Sequence, residues 1–308
     1  MSNIVWKKSA DNPLPSLAIK PGTWREDATM TVDVWPRDDH FHIFYVGKKD
    51  GQDCIGVATQ PKEGFDGKSW VDYPHNPVIS PGAAGRFDDA HVVDPAMVEL
   101  DGKVYLYYSA LGQAPDSIGL AISEDGFNFV KEDQPVLVGR APEVIKVGNT
   151  IYMLYSLDSP GGGYESHLAT STDGKNFTGE GVVFSPGEEG AWDSFSVVTP
   201  RVFHENGLFV MTYAADDKEK DYPQRVGLAF SRDMRNWVRF PGNPVFSGGE
   251  PGSWESRAIW FPEILKFENK YYMWYEGNDW KYSQVGLAVS ESPITEIGRE
   301  LLDGTYNG

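Results

Sequence analysis

Val226-Gly227-Leu228-Ala229 is one copy of a phrase that runs through the chain: an apolar residue, a glycine, an apolar residue and an alanine. Further copies are Ile55-Gly56-Val57-Ala58, Ile118-Gly119-Leu120-Ala121 and Val285-Gly286-Leu287-Ala288, with a degenerate one at His167-Leu168-Ala169-Thr170. Ahead of each stands a second phrase: an extended stretch, a polar turn, then an aromatic-rich stretch ending on tyrosine. Its five copies, 29–45, 92–108, 139–155, 197–213 and 259–275, align without a gap. Such recurrence marks a repeat architecture, in which each unit buries a face against the next.

Alternation and β-branched or aromatic enrichment make the units β, as in Tyr105-Leu106-Tyr107-Tyr108 and Tyr271-Tyr272-Met273-Trp274-Tyr275. Asp101-Gly102 and Asp125-Gly126 fit hairpin turns. No helical period is evident except a turn near 295–301. Four strands fit in each unit, the outermost carrying Trp70, Phe129, Phe177 or Trp237. The fifth unit lacks that strand, but the N-terminus supplies a match. Trp6 followed by Asn12-Pro13 mirrors Trp70 with Asn76-Pro77 and Trp237 with Asn243-Pro244. The expectation is all-β: a single five-bladed β-propeller domain over 1–308, four strands per blade, the last blade closed by the N-terminal strand at 4–8. Closure hides edges that would otherwise pair with other chains.

Composition agrees with short strands and many turns: 308 residues hold 33 Gly, 21 Pro and 13% aromatics. A formal charge of −18 repels phosphate backbones, so nucleic acid is an unsuitable partner. The single cysteine, Cys54, leaves no internal disulfide or multi-cysteine zinc site. Residues 1–8 have no apolar run of signal-peptide length, and no stretch reaches the ~20 apolar residues of a membrane span. A cytoplasmic protein without membrane partners is the expectation.

The alignment reads the first strand of each unit column by column. Pro95, Pro142, Pro200 and Pro262 share a position with Val32. The column after it is Asp33, Ala96, Glu143, Arg201 and Glu263; the column before it is Thr31, Asp94, Ala141, Thr199 and Phe261. Burying an unpaired carboxylate costs several kcal/mol, roughly. Two readings account for the charges. Arg201 neutralises the acids in a structural network, or the column lines a polar funnel that binds a polar ligand. A second ring, Trp24-Arg25, Phe87-Asp88, Trp192-Asp193 and Trp254-Glu255, precedes these strands, with Asp27, His91 and Arg257 nearby. Aromatics beside acids suit sugars, which stack on indoles and bond carboxylates. The same aromatics also suit packing within the blades, and His91 suits a structural place better than a metal ligand's.

Five units with Val93-Asp94-Pro95-Ala96 and Arg140-Ala141-Pro142-Glu143 resemble the superfamily of glycoside hydrolase families 43 and 32 over nearly the whole chain. That resemblance implies a glycosidase acting on a terminal bond of an oligosaccharide, arabinofuranosidase- or xylosidase-like and inverting. It implies three catalytic acids, carried over by blade order as Asp33, Asp94 and Glu143. Trp24, Asp27, His91, Asp193, Arg201, Arg257 and Glu263 are then the expected substrate contacts. The first unit lacks Asp-Pro, which makes Asp27 an alternative to Asp33. Arg140 stands where the family's glutamate usually does, which makes Glu263 and Glu255 alternatives to Glu143. Glycoside cleavage needs one acid to protonate the leaving oxygen and one carboxylate to activate water. Resemblance to family 130 phosphorylases is the second reading, with Arg201, Arg257, Arg140 and Arg25 as candidate phosphate-binding cations. Ser123-Glu124-Asp125-Gly126-Phe127-Asn128-Phe129 and the stretch 171–177 resemble the sialidase aspartate box but are one residue short. A non-catalytic sugar-binding propeller is the remaining alternative. No cofactor is required, no metal ligand set is spaced for one, and the channel's oxygen ligands leave calcium as an option.

Overall fold

The computed structural model describes residues 4–112 and 115–306. Residues 1–3, part of the N-terminal stretch read above, lie outside the described residues. The chain forms five antiparallel units of three long strands each. They are Ala28–Arg37, His40–Lys49 and Gln52–Pro61; His91–Leu100, Lys103–Leu111 and Ser117–Ser123; Arg140–Val147, Thr150–Asp158 and Tyr164–Ser171; Ser196–Glu205, Leu208–Asp216 and Arg225–Ser231; and Ala258–Phe267, Lys270–Asn278 and Ser283–Ser290. A fourth, outer strand joins each unit: Val71–Asp72, Phe129–Lys131, Thr178–Phe184, Val238–Arg239 and, for the fifth, Lys7–Lys8. Lys7 pairs with Val289 and Lys8 with Ala288, so the N-terminus completes the last unit as the repeat implied. Where the sequence suggested only a turn, a helix runs Ile294–Leu302, its Gly298 pressed on the Phe230 ring.

Local chemistry explains the phrases. A Cβ on Gly227 would stand 2.6 Å from Tyr213 and 2.8 Å from Trp192; one on Gly286 would stand 2.7 Å from Trp254. The glycine exists because an aromatic ring lies against the strand there. The asparagines brace the ends of the outer segments. Asn76 bonds both backbone groups of Val57, Asn243 both groups of Leu228, and Asn12 both groups of Leu287, all at 2.8–2.9 Å.

The apolar core lies between units rather than within them. One cluster joins Phe44 and Ile55 of the first unit to Val92 and Met97 of the second. Others join the second to the third, the third to the fourth, the fourth to the fifth, and the fifth back to the first through Tyr272, Trp274 and Tyr45. All five first strands therefore face one another around a common axis. Each breaks its pairing register at the same place, between Met30 and Val32, Val93 and Ala96, Arg140 and Glu143, Val198 and Arg201, and Trp260 and Glu263. No described helix is long and apolar enough to cross a membrane.

Candidate active site

The repeated break in register shapes the site. Proline has no N–H for the ladder, so a bulge at that column is its natural place. The residue ahead of it takes a left-handed backbone in four units: Asp94 (φ 56°), Ala141 (50°), Thr199 (50°) and Phe261 (49°). For side chains other than glycine this costs about 1–3 kcal/mol each, and such strain gathers where a site demands it. The column before the proline and the one before that line a cavity of about 220 Å³ at the axis. Thr31, Asp94, Ala141, Thr199 and Phe261 contribute one from each unit, and Met30, Val93, Arg140, Val198 and Trp260 likewise. Asp53, Leu111, Ser156, Tyr164, Asp221, Tyr222 and Glu276 complete the wall.

Four carboxyls thus meet one guanidinium. Arg140 donates to the Tyr164 hydroxyl at 2.8 Å and lies 3.5 Å from Asp221. Burial raises Asp94 above the ordinary carboxylate range, with Arg140 pulling the other way. Its Oδ2 is buried without a hydrogen-bond partner, as is the Ser156 hydroxyl. Glu276 accepts from the Thr31 N–H at 3.2 Å, and burial together with the charges of Asp94 and Asp53 pushes it up to about 7. Burial also raises Asp53, whose Oδ2 lies 2.7 Å from His91 Nδ1, and Asp221.

Of the expected catalytic trio, only Asp94 lines this cavity. Asp33 and Glu143 sit in the column after the proline, buried with Arg201 and Glu263 in a hub. Arg201 lies 2.9 Å from Glu143 and 3.5 Å from Glu263, and donates to the Pro142 carbonyl at 3.0 Å. Asp33 accepts from Met97 N–H of the next unit at 2.5 Å, and Glu143 from Val202 N–H of its own next unit at 2.8 Å. These carboxylates staple neighbouring first strands, with one buried cation for compensation. That geometry has the ion pairs and cross-strand bonds of a structural network around the axis. Burial raises all three acids, Asp33 to about 7.

The second ring is also placed elsewhere. Trp24 packs on Tyr45, ring centroids 5.2 Å apart, with its ring over Gly47 and Gly56. Asp193 accepts from Tyr213 hydroxyl at 3.0 Å and Arg239 at 2.8 Å. Asp88 does the same with Tyr108 and Lys131, and Glu255 takes Lys8 at 2.5 Å. In the first unit the pair is reversed: Arg25 occupies the acid's position and Asp72 the cation's, 2.6 Å apart, with Tyr45 donating to Asp72. Asp27 is exposed and accepts from Asp50 N–H. His91 stands behind Asp53, outside the lining. Arg257 lies outside the lining and packs against the Tyr222 and Trp280 rings, 4.2 Å from each centroid. In the aspartate-box-like turns, Asp125 and Asp173 cap their own backbone N–H groups, which is a turn's chemistry. Among the described residues no group of three His, Cys, Asp or Glu is arranged to hold a metal.

Sequence reasoning missed Glu276, Asp53, Asp221, Tyr164, Tyr222 and Trp260. A signal existed for the first. The column after the repeat's tyrosine reads Val46, Ser109, Ser156, Ala214 and Glu276, and an acid stands out there. Asp221 and Tyr222 lie in the loop between Leu208–Asp216 and Arg225–Ser231, which is longer than the corresponding loop of the other units.

No family model matches the chain. It is 27% identical over 289 residues to an uncharacterised protein of Mycobacterium tuberculosis, covering 87% of this chain and 94% of that one. It is 26% identical over 247 residues to a 1,2-beta-oligomannan phosphorylase of Thermoanaerobacter, covering 73% and 78%. A structure described with the GH130 family of mannoside phosphorylases, as containing glycoside hydrolases that target beta-1,2 mannosidic linkages in Candida mannan, superposes with a TM-score of 0.74. It is 16% identical and covers 93% of this chain and 94% of that one.

Proposed function

We propose that the five units are the blades of a five-bladed propeller whose axial cavity cleaves a glycosidic bond in an oligosaccharide of the β-mannoside class. The observation that carries this is the pairing of Asp94 and Glu276 in one cavity where their side chains meet different electrostatic surroundings. Glu276, at about 7, holds a proton for part of its population at neutral pH and suits the general acid. Asp94 keeps an oxygen free of protein partners, and although burial raises it too, it has the opposing charge of Arg140, which Glu276 lacks, and this suits the base. Glu276 protonates the glycosidic oxygen as the C1–O bond breaks. Asp94 takes the proton of the water whose oxygen bonds to C1. Arg140, Tyr164 and Ser156 offer donors and acceptors for sugar hydroxyls, and Trp260 and Phe261 offer apolar faces. The β-mannoside class rests on the named relatives, whose descriptions concern β-mannosides.

Water rather than phosphate is favoured as acceptor by charge. Four carboxylates and one guanidinium line the cavity, and that guanidinium already faces Asp221. A phosphate dianion meets net repulsion there. Phosphorolysis is the second reading, favoured by the Thermoanaerobacter relative. The test is a digest of β-linked manno-oligosaccharides with and without inorganic phosphate, beside Asp94→Asn and Glu276→Gln. Hydrolysis independent of phosphate, falling by about 10²–10⁴ in each variant, is expected. Sugar 1-phosphate appearing only with phosphate turns the assignment to phosphorolysis. Full activity in both variants removes these two residues from the chemistry.

A further inference from the structure

The cavity is smaller than the roughly 300–1,000 Å³ usual for sites that enclose a drug-sized ligand, at about 220 Å³. An oligosaccharide substrate would fit it only in part, and the rest would lie on whatever borders the mouth. Trp260 and Tyr222 belong to the cavity wall. Their ring centroids are 5.5 Å apart, and Tyr222 is followed outward by Trp280 at 6.0 Å. Three aromatic rings thus run from the cavity into solvent. Trp280 is 73% exposed and Tyr222 38%, a large apolar area to leave in water.

The outer ring is held there by its surroundings. Trp280 lies in the hairpin between Lys270–Asn278 and Ser283–Ser290, with φ at 81°, an uncommon conformation for so bulky a residue. Its backbone N–H donates to the Asn278 side-chain Oδ1 at 2.8 Å, and the Asp279 carboxylate accepts the next two backbone N–H groups, of Lys281 and Tyr282, at 2.9 Å. Arg257 packs against both Trp280 and Tyr222, its guanidinium 4.2 Å from each centroid, and Glu219 lies 3.5 Å from it. Only 11% of the Arg257 side chain is exposed, and its Nε is buried without a partner. Cation–π attraction to both rings holds them in place and leaves a positive charge beside an open indole face.

We propose that Trp280, with Tyr222 and Arg257, is a second subsite that stacks a sugar ring of the oligosaccharide beyond the bond being cleaved. The C–H face of a pyranose lies on the indole, and its hydroxyls meet Arg257 and Glu219. This rests on the oligosaccharide reading of the cavity and adds the requirement for length. It makes the enzyme prefer chains that reach past the cavity over the shortest substrate.

The test measures binding and turnover separately, using β-linked manno-oligosaccharides of two to five residues with wild type, Trp280→Ala and Trp280→Phe. Calorimetry and initial rates are both recorded. Wild type is expected to bind and cleave longer chains better. Trp280→Ala should lose about tenfold in affinity and in kcat/KM for the pentasaccharide, a loss that shrinks as the chain shortens, and Trp280→Phe should restore part of it. Equal losses at every length, or none, overturn the subsite while leaving cleavage intact. Length-dependent binding through Trp280 without any turnover upholds the subsite and overturns cleavage. No binding at any length overturns both.

Discussion

At the scale of the residue, Glu276 is the group whose setting has the clearest consequence. Burial makes its charged form unfavourable, and Asp94 and Asp53 add like charge. Its value in the fold, about 7, lies above the ordinary 4.5, so the fold favours the protonated carboxyl. That contribution to stability is fully present below pH 4.5 and is lost as pH rises through about 7. Glu276→Gln keeps a neutral side chain at every pH. Its stability relative to wild type should therefore climb between pH 4.5 and pH 8, by about 3 kcal/mol, read from denaturant midpoints at each pH. A difference that stays flat with pH contradicts the raised value. Asp94 was legible in the sequence because Asp-Pro breaks the column. Asp33 and Glu143 were legible as charges on the inner strand, but their side was not. The bulge at the proline column sends the residue before it into the cavity and the residue after it into the hub, and alternation along an ideal strand has no bulge.

At the scale of the element, the repeated clamp decides how an outer strand is held to its unit. The tyrosine ending the second phrase, an acid and a cation meet in the second, fourth and fifth units as Tyr108–Asp88–Lys131, Tyr213–Asp193–Arg239 and Tyr275–Glu255–Lys8. In the first unit Arg25 and Asp72 exchange the two charges and keep the geometry. The clamp depends on complementarity, not on which strand carries the acid. Arg25→Asp alone places two acids together at a site where Arg25 is nearly buried, and should cost about 3–5 kcal/mol. Asp72→Arg alone should cost less, since Asp72 is partly exposed. The double exchange restores the arrangement of the other units and should regain at least half of the summed loss in a thermal-melt cycle. Additive losses mean that Arg25 serves something other than this clamp. The doublets Trp24-Arg25 and Trp192-Asp193 were visible as a ring of the repeat. Their partners were not, because they lie on an outer strand whose register against the third strand no phrase specifies. A sugar-binding mouth and a packing clamp ask for the same residue types.

At the scale of the whole molecule, the repeat made the fold readable: five units, their inner strands and the use of the N-terminus to finish the fifth all follow from phrases in register. The closing contact now separates two lesions that are locally alike. Asn243 bonds both backbone groups of Leu228 within one unit, a span of 15 residues. Asn12 bonds both groups of Leu287 across 275. Replacing either by alanine takes the side-chain acceptor from one buried N–H, while the carbonyl keeps Ser9 N–H at Leu287 and Phe240 N–H at Leu228, and should cost about 1–3 kcal/mol. The kinetic outcome differs. Loss of Asn243 loosens an outer segment whose unit stays bracketed on both sides. Loss of Asn12 loosens the segment that, through Lys7–Lys8, covers the edge of Ser283–Ser290, where opening frees a strand for pairing with other chains. Asn12→Ala should therefore unfold faster than Asn243→Ala at matched denaturant, and should aggregate on warming at temperatures where Asn243→Ala stays monodisperse by light scattering. Equal unfolding rates with equal aggregation would mean that the fifth unit holds without its N-terminal strand and that closure contributes no kinetic barrier.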